Sequence, residues 1–159
     1  MAESVITVAI ITIACVICAT MLVSAIYPAV NRASSSVISS SAKLGERIET
    51  SIEIIAEGNQ SLYEYVWVKN TGSSPIHQIE NSDIFFGEIG NIQRITFDSS
   101  LLATPSWNYS IENDDGNGRW NVGETVKITI KSSSEITAGD YYVKIVLYNG
   151  ISDEEKFSI

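Results

Sequence analysis

The sequence has one histidine, His77. A histidine-based metal centre or proton relay therefore has little to build with. His77 follows Pro75-Ile76 near a turn and reads as a surface residue. No G-x-S-x-G, P-loop or dinucleotide-binding glycine pattern occurs, and the carboxylates scatter over turns rather than pairing. The expectation is a protein that is not an enzyme, with a structural role. Cysteine is almost as scarce. Cys15 and Cys18 both lie in an apolar run, so no disulfide framework holds the rest of the chain. A Cys-x-x-Cys spacing serves redox or metal chemistry elsewhere. Inside an apolar run the pair reads as small packing residues.

Charge is missing altogether from Val5 to Val30. That run exceeds the roughly 20 apolar residues needed to cross a bilayer core. Basic residues are missing before Arg32. A cleaved secretory signal has a basic start and a much shorter apolar stretch. The segment is therefore expected to be retained as a transmembrane anchor. Orientation is harder to read. Arg32, Lys43 and Arg47 follow the run and Glu3 precedes it, which by the positive-inside rule would keep the remainder in the cytoplasm. Glu46, Glu49, Glu53 and Glu57 dilute that bias. Asn59-Gln60-Ser61 and Asn108-Tyr109-Ser110 fit the N-glycosylation pattern and point outward.

What the chain does contain divides at about residue 57. Beyond the apolar run, apolar or small residues recur at Val30, Ser34, Val37, Ser41, Leu44, Ile48, Ile52 and Ile55. Steps of three and four make a helical stripe. The expectation is one helix over residues 5–56, kinked at Pro28, so that 1–57 forms a hydrophobic helix with an amphipathic extension. The serine-rich stretch from Ser34 to Ser41 suits either a hinge or close helix–helix packing. The stripe needs cover from the chain's own second domain or from helices of other copies. For the second case Val30, Val37, Leu44, Ile48 and Ile52 form the assembly interface.

Residues 58–159 carry seven Lys and Arg against fourteen Asp and Glu, within a chain of formal net charge −9. No basic patch suggests nucleic acid. Here the pattern changes to period two. Strands are expected near 61–70, 76–79, 83–86, 92–97, 106–111, 124–131, 140–148 and 151–159. In Glu124–Lys131, Val126, Ile128 and Ile130 fall on one face. Asn149-Gly150 between two alternating runs signals a hairpin. The fold class is α+β: a long N-terminal helix followed by an immunoglobulin-like β-sandwich. Trp67, Trp107 and Trp120, with Tyr63, Tyr65, Tyr141, Tyr142 and Tyr148, read mostly as core.

One segment can be laid over a calcium loop. Asn113, Asp115, Asn117, Arg119 (through its carbonyl), Asn121 and Glu124 fall at the ligand positions, with Gly118 at the tight turn. Asn rather than Asp stands first, and the flanks read as strands rather than helices. The same residues also make a turn between strands that needs no ion. Ca2+ is the only cofactor the sequence raises.

A hydrophobic helix running into a β-sandwich is the plan of archaeal pilin-like surface proteins. Tyr65-Val66-Trp67-Val68-Lys69-Asn70-Thr71-Gly72, then Ile76 and Asp83-Ile84-Phe85-Phe86-Gly87, resemble the FlaG (ArlG) family of archaellum accessory proteins. Ala25-Ile26-Tyr27-Pro28 does so too. The resemblance implies a structural part of the archaeal motility apparatus, stator-like or filament-associated. It implies anchoring in the cytoplasmic membrane with the β domain outside the cell, and partners in a FlaF-like protein, the surface layer and further copies of the chain. The alternative is a subunit of an archaellum or pilus filament. Filament precursors carry a basic residue before their cleavage site, and this chain departs from that pattern.

Overall fold

The computed structural model describes residues 2–159. It divides into two compact units, one up to Lys43 and one from Leu44 to Ile159. The first is helical. Helix α1 runs from Ala2 to Glu49 and continues through Pro28 without interruption. It is long and apolar enough to cross a membrane. Its hydroxyls suit that solvent. Thr7 donates to the carbonyl of Glu3 (2.9 Å), Thr12 to that of Ala9 (2.8 Å) and Thr20 to that of Ile17 (2.8 Å). A hydroxyl satisfied by its own helix leaves no orphan donor in lipid.

The helix stops at Glu49, short of the residue 56 expected. The reason is in Thr50-Ser51-Ile52-Glu53-Ile54, which alternates at period two as readily as it continues a stripe at three and four. Pairing with a neighbouring strand decides between them, because β-branched residues gain more on a pleated, half-buried surface. Strand β1 spans Ile52–Gln60 and pairs antiparallel with β2, Tyr63–Asn70. A bulge lies between Ile54 and Ala56.

The second unit adds β3 (Asp83–Glu88), β4 (Gln93–Phe97), β5 (Ser106–Glu112), β6 (Thr125–Lys131), β7 (Asp140–Val146) and β8 (Ser152–Ser158). They follow the order β1-β2-β6-β5-β4-β3-β7-β8 and close into a nearly complete barrel-like sandwich. Every pairing is antiparallel except β4 with β5. The strand expected near 76–79 is a single bridge, Ile76 to Trp120, followed by a 3-10 turn at Ile79–Asn81. The β7–β8 hairpin turns at Asn149-Gly150, where Gly150 has φ 81, a value glycine adopts without strain.

Alternation sorts the sandwich. Val66, Val68, Val126, Ile128, Ile130, Val143 and Ile145 point inward and are buried. Each stabilises the fold by roughly 1.5–3 kcal/mol relative to exposure. Trp107, Trp120 and Tyr141 join them, whereas Tyr63, Tyr65 and Trp67 line the outer face of β2, half-exposed. Their rings are 6.5 and 6.2 Å apart in succession, with Lys127 Nζ 5.9 Å from the Tyr65 ring centre. The core expectation therefore holds for one set of aromatics and not for the outer row.

The end of the helix is clasped by loops of the β domain. The Glu49 carbonyl accepts from the Ser73 amide (2.8 Å), and the Ser51 carbonyl accepts from those of Thr71 (2.9 Å) and Gly72 (3.0 Å). The Thr50 hydroxyl donates to the Glu46 carbonyl (2.7 Å) and accepts from the Asn149 amide (2.9 Å). The Tyr148 hydroxyl donates to the Glu46 carboxylate. Burial and that neighbouring carboxylate push the phenol up to about 12. Asn70, fully buried, ties the clasp to the sheet. Its amide donates to the carbonyls of Ser74 (3.0 Å) and Trp120 (3.1 Å), and its oxygen accepts from Gly72 (3.0 Å).

Glu64 occupies an inward position of β2, fully buried opposite Ile130. Neither carboxyl oxygen has a partner of hydrogen-bond geometry. Burial, opposed by the Gly58 backbone and reinforced by Glu57, raises its pKa from 4.5 to about 7.

Two outcomes follow from this architecture. A methyl at Gly72 would lie 2.4 Å from the Glu49 carbonyl and 2.6 Å from the Ser51 amide. Gly72→Ala should cost about 1–3 kcal/mol, as overpacking does, seen as a lower Tm and faster proteolysis near Thr50. The second concerns pH. Above about pH 4.5 the unfolded chain loses the Glu64 proton while the folded domain keeps it, so stability falls until pH passes about 7. The total is on the order of 3 kcal/mol. Glu64→Gln should remove it: thermal melts of the variant and the wild type coincide near pH 4, and the variant melts higher near pH 8.

Candidate functional site

Two groups of residues carry the functional expectations: the helix stripe and the acidic loop between β5 and β6. On the helix, Val30, Val37, Leu44 and Ile48 are all exposed, Ile48 most of all at 82%. Seven-residue steps from Val30 to Leu44 place them along one side of the helix. Leu44 and Ile48 belong to the same compact unit as the β domain and are nonetheless uncovered by it. Ile52 is corrected: it is not a helix residue but the first residue of β1, 7% exposed and part of the core. Once the chain switches from helix to strand, spacing along the helix no longer places it on that side. Cys15 and Cys18 are free thiols exposed on α1.

The loop stands on Trp120. This ring is buried, and its indole N–H donates to the Glu124 carbonyl (2.9 Å) while its backbone bridges to Ile76. Asn121 and Glu124 close the foot of the loop. The Asn121 backbone N–H donates to one Glu124 oxygen (2.8 Å), and its side-chain amide donates to the other (3.3 Å) and to Asp115 (3.3 Å). Above them the loop is a run of local turns. Gly116 N–H donates to Asp114 (3.0 Å), Asn117 N–H to Asp115 (3.1 Å) and Arg119 N–H to the Asn117 side-chain oxygen (2.7 Å). Such side-chain to backbone bonds make a turn without any ion.

The same turns gather charge. Carboxylate oxygens of Asp114, Asp115 and Glu124 lie within 4.8 Å of one another. The sequence register picked out Asp115 and Glu124 and passed over Asp114, which falls on a non-ligand step of the loop template. Asn113 has φ 59, a left-handed conformation that asparagine tolerates. Asn117 and Asn121 both donate to Asp115, so they are neighbours of the cluster. His77 is exposed. Of the two glycosylation triplets, Asn59 is exposed in β1, and the half-buried Asn108 side chain donates to the Ser99 carbonyl (3.3 Å).

Comparison with known proteins fits this arrangement of helix and sandwich. An uncharacterized protein of Archaeoglobus fulgidus is 34% identical over 166 residues, spanning 99% of both chains. The archaellum periplasmic stator protein FlaG of Sulfolobus acidocaldarius is 26% identical, with a TM-score of 0.59 over 68% of this chain and 99% of that one. FlaF and FlaG from the same organism, solved as a stator complex, match at 26% identity and a TM-score of 0.58, over 67% of this chain and 87% of that one. The flagellin FlaB1 of Methanocaldococcus jannaschii shares the fold at 17% identity and a TM-score of 0.56, covering 69% and 89% of the two chains. The family model for archaeal-type flagellin matches residues 2–157, and the chain, a helix-plus-sandwich structural protein of the archaellum, belongs to that family.

Proposed function

We propose that the protein is a membrane-anchored, stator-like component of the archaellum, with its β domain on the outer side of the cytoplasmic membrane and no catalytic activity of its own. The observation that carries this is the pairing of a helix that holds an uncharged run of membrane-crossing length with a sandwich that matches nearly the whole of a periplasmic stator protein. A partner resembling FlaF follows from the same likeness, since that stator protein was solved in complex with FlaF. Attachment to the surface layer rests on the sequence resemblance to the FlaG family. N-glycans at Asn59 and Asn108 would be compatible with an exterior domain.

The second reading is a filament subunit assembled through α1, favoured by the family model and the uncovered stripe. One experiment separates them. In an archaeal host that carries the gene, deletion should leave filaments on the cell but abolish swimming. Loss of the filaments themselves would favour the subunit reading, as would a native N-terminus trimmed before Val5 in mass spectrometry. The protein should also stay in the membrane through alkaline wash, with its β domain digested by protease added outside the cell.

The stripe on α1 is read as the surface for self-association. Leu44→Asp with Ile48→Asp should convert oligomers to monomers in detergent, followed by light scattering. Both side chains are exposed, so the Tm should change by no more than about 0.5 kcal/mol equivalent. Oligomers unchanged by the double variant would remove the stripe from the interface.

The loop is read as a weak, stabilising calcium site. Three carboxylates repel one another at this separation, and a hard cation with oxygen ligands would relieve that. Millimolar CaCl2 should raise the Tm of the wild type and leave Asp115→Asn unmoved. An unchanged wild-type Tm would reduce the loop to a turn.

A further inference from the structure

The strands β1 and β8 are the two ends of the sheet order and form no ladder with each other. The Ile54 N–H reaches across to the Asp153 carboxylate at 2.7 Å. Further along the same seam a cavity of about 170 Å3 opens, lined by Glu57, Asn59, Glu64, Phe157, Ser158 and Ile159. Glu64 is among the lining residues, with 0% of the residue exposed; neither carboxyl oxygen has a partner of full hydrogen-bond geometry, and the Gly58 backbone, also in the lining, is the one polar group close enough to ease its charge.

The registers identify what else lies on this face of the sheet, where Glu57 and Glu155 are exposed and Asp153 half-buried. Glu57 stands opposite the buried Val66. On β8, Asp153 and Glu155 stand opposite the buried Ile145 and Val143, and Phe157 opposite Tyr141, whose ring stacks on it at 6.2 Å. Residues directly opposite in an antiparallel pair share a face. The charged groups that β1, β2 and β8 turn to this side are therefore Glu57, Glu64, Asp153 and Glu155, and all are acidic. Lys156 falls opposite Tyr142, on the outer side with the Tyr142–Glu154–Lys144 group. A buried carboxyl with no partner is costly, and here it sits at the wall of a space.

We propose that this cavity is a binding pocket for the cationic tip of a flexible chain, a guanidinium or primary ammonium group, with Glu64 as its principal anchor and Glu57 as the second carboxylate. Size favours an organic cation over a bare metal ion. The space equals several water molecules at ~30 Å3 each, and two acidic side chains, Glu57 and Glu64, are among its lining residues. A long basic side chain fills such a volume: its stem packs on Phe157 and Ile159, and its donors meet the carboxylates. Burial has raised the Glu64 pKa to about 7, so a cation that pairs with it displaces a proton.

The test uses the full-length protein in detergent micelles, titrated calorimetrically with n-butylguanidinium chloride. Saturable binding is expected, with release of a proton below about pH 7. Affinity should drop at least ~tenfold in Glu64→Gln and by less in Glu57→Gln. Because Glu64→Gln removes a buried ionisable group, its thermal melt serves as the folding control, and a Tm at or above wild type attributes the lost binding to the lost carboxylate. Two further arms distinguish the source of the cation. Tighter binding of N-acetyl-arginine amide than of spermidine assigns the pocket to a side chain of a partner protein, and the reverse order assigns it to a free polyamine. No saturable binding, equal binding in Glu64→Gln, or displacement by Mg2+ or Ca2+ alone at lower concentration would overturn the proposal.

Discussion

The rest of the molecule depends on how the last turn of α1 is satisfied. A helix ends with carbonyls that have no partner within it. Here the Glu49 carbonyl and that of the following Ser51 are taken by the backbone of Thr71–Ser73. The helix end therefore becomes part of the β domain's own hydrogen bonding. Gly72 permits this because its backbone passes closer to Glu49 and Ser51 than any Cβ would allow. Asn70 then carries the constraint inward, joining the clasp to Trp120 and so to the foot of the acidic loop. The end of the helix and the foot of the acidic loop are connected by one chain of hydrogen bonds through Asn70 and Trp120.

The sandwich was legible where one face is wet and the other dry. Val126, Ile128 and Ile130 alternate with polar residues and are buried as their spacing predicts. Asn149-Gly150 forms the hairpin its dipeptide signals. The strand β1 was not legible, because Ile48, Ile52 and Ile55 continue a helical stripe while Ile52 and Ile54 also fit a strand. Local pattern does not separate the two; pairing with β2 does. The outer row Tyr63, Tyr65 and Trp67 was misplaced for a related reason. In β2 the apolar residues occupy both faces, so aromatic content alone does not tell inside from outside.

The convergence of the acidic loop was legible in part. The calcium-loop template found Asp115, Asn121 and Glu124, which do converge, and missed Asp114. A template assigns ligands by position, whereas the folded loop gathers whichever carboxylates its turns bring round. Glu64 left no signal at all. In Tyr63-Glu64-Tyr65-Val66 it reads as a solvent-facing residue between aromatics. Only the register with Asn59 and Ile130 turns it inward. A charged residue on the dry face of a strand breaks the pattern from which strands are read, which is why such a residue is found from the fold.

The composition of β8 has a bearing on how copies of this protein meet. It reads Ser-Asp-Glu-Glu-Lys-Phe-Ser at an end of the sheet order. An open strand edge invites another strand, and dense like charge discourages it. Neighbouring sandwiches crowded on one membrane would repel along this edge instead of zipping into a continuous sheet. Growth by strand addition is thereby discouraged.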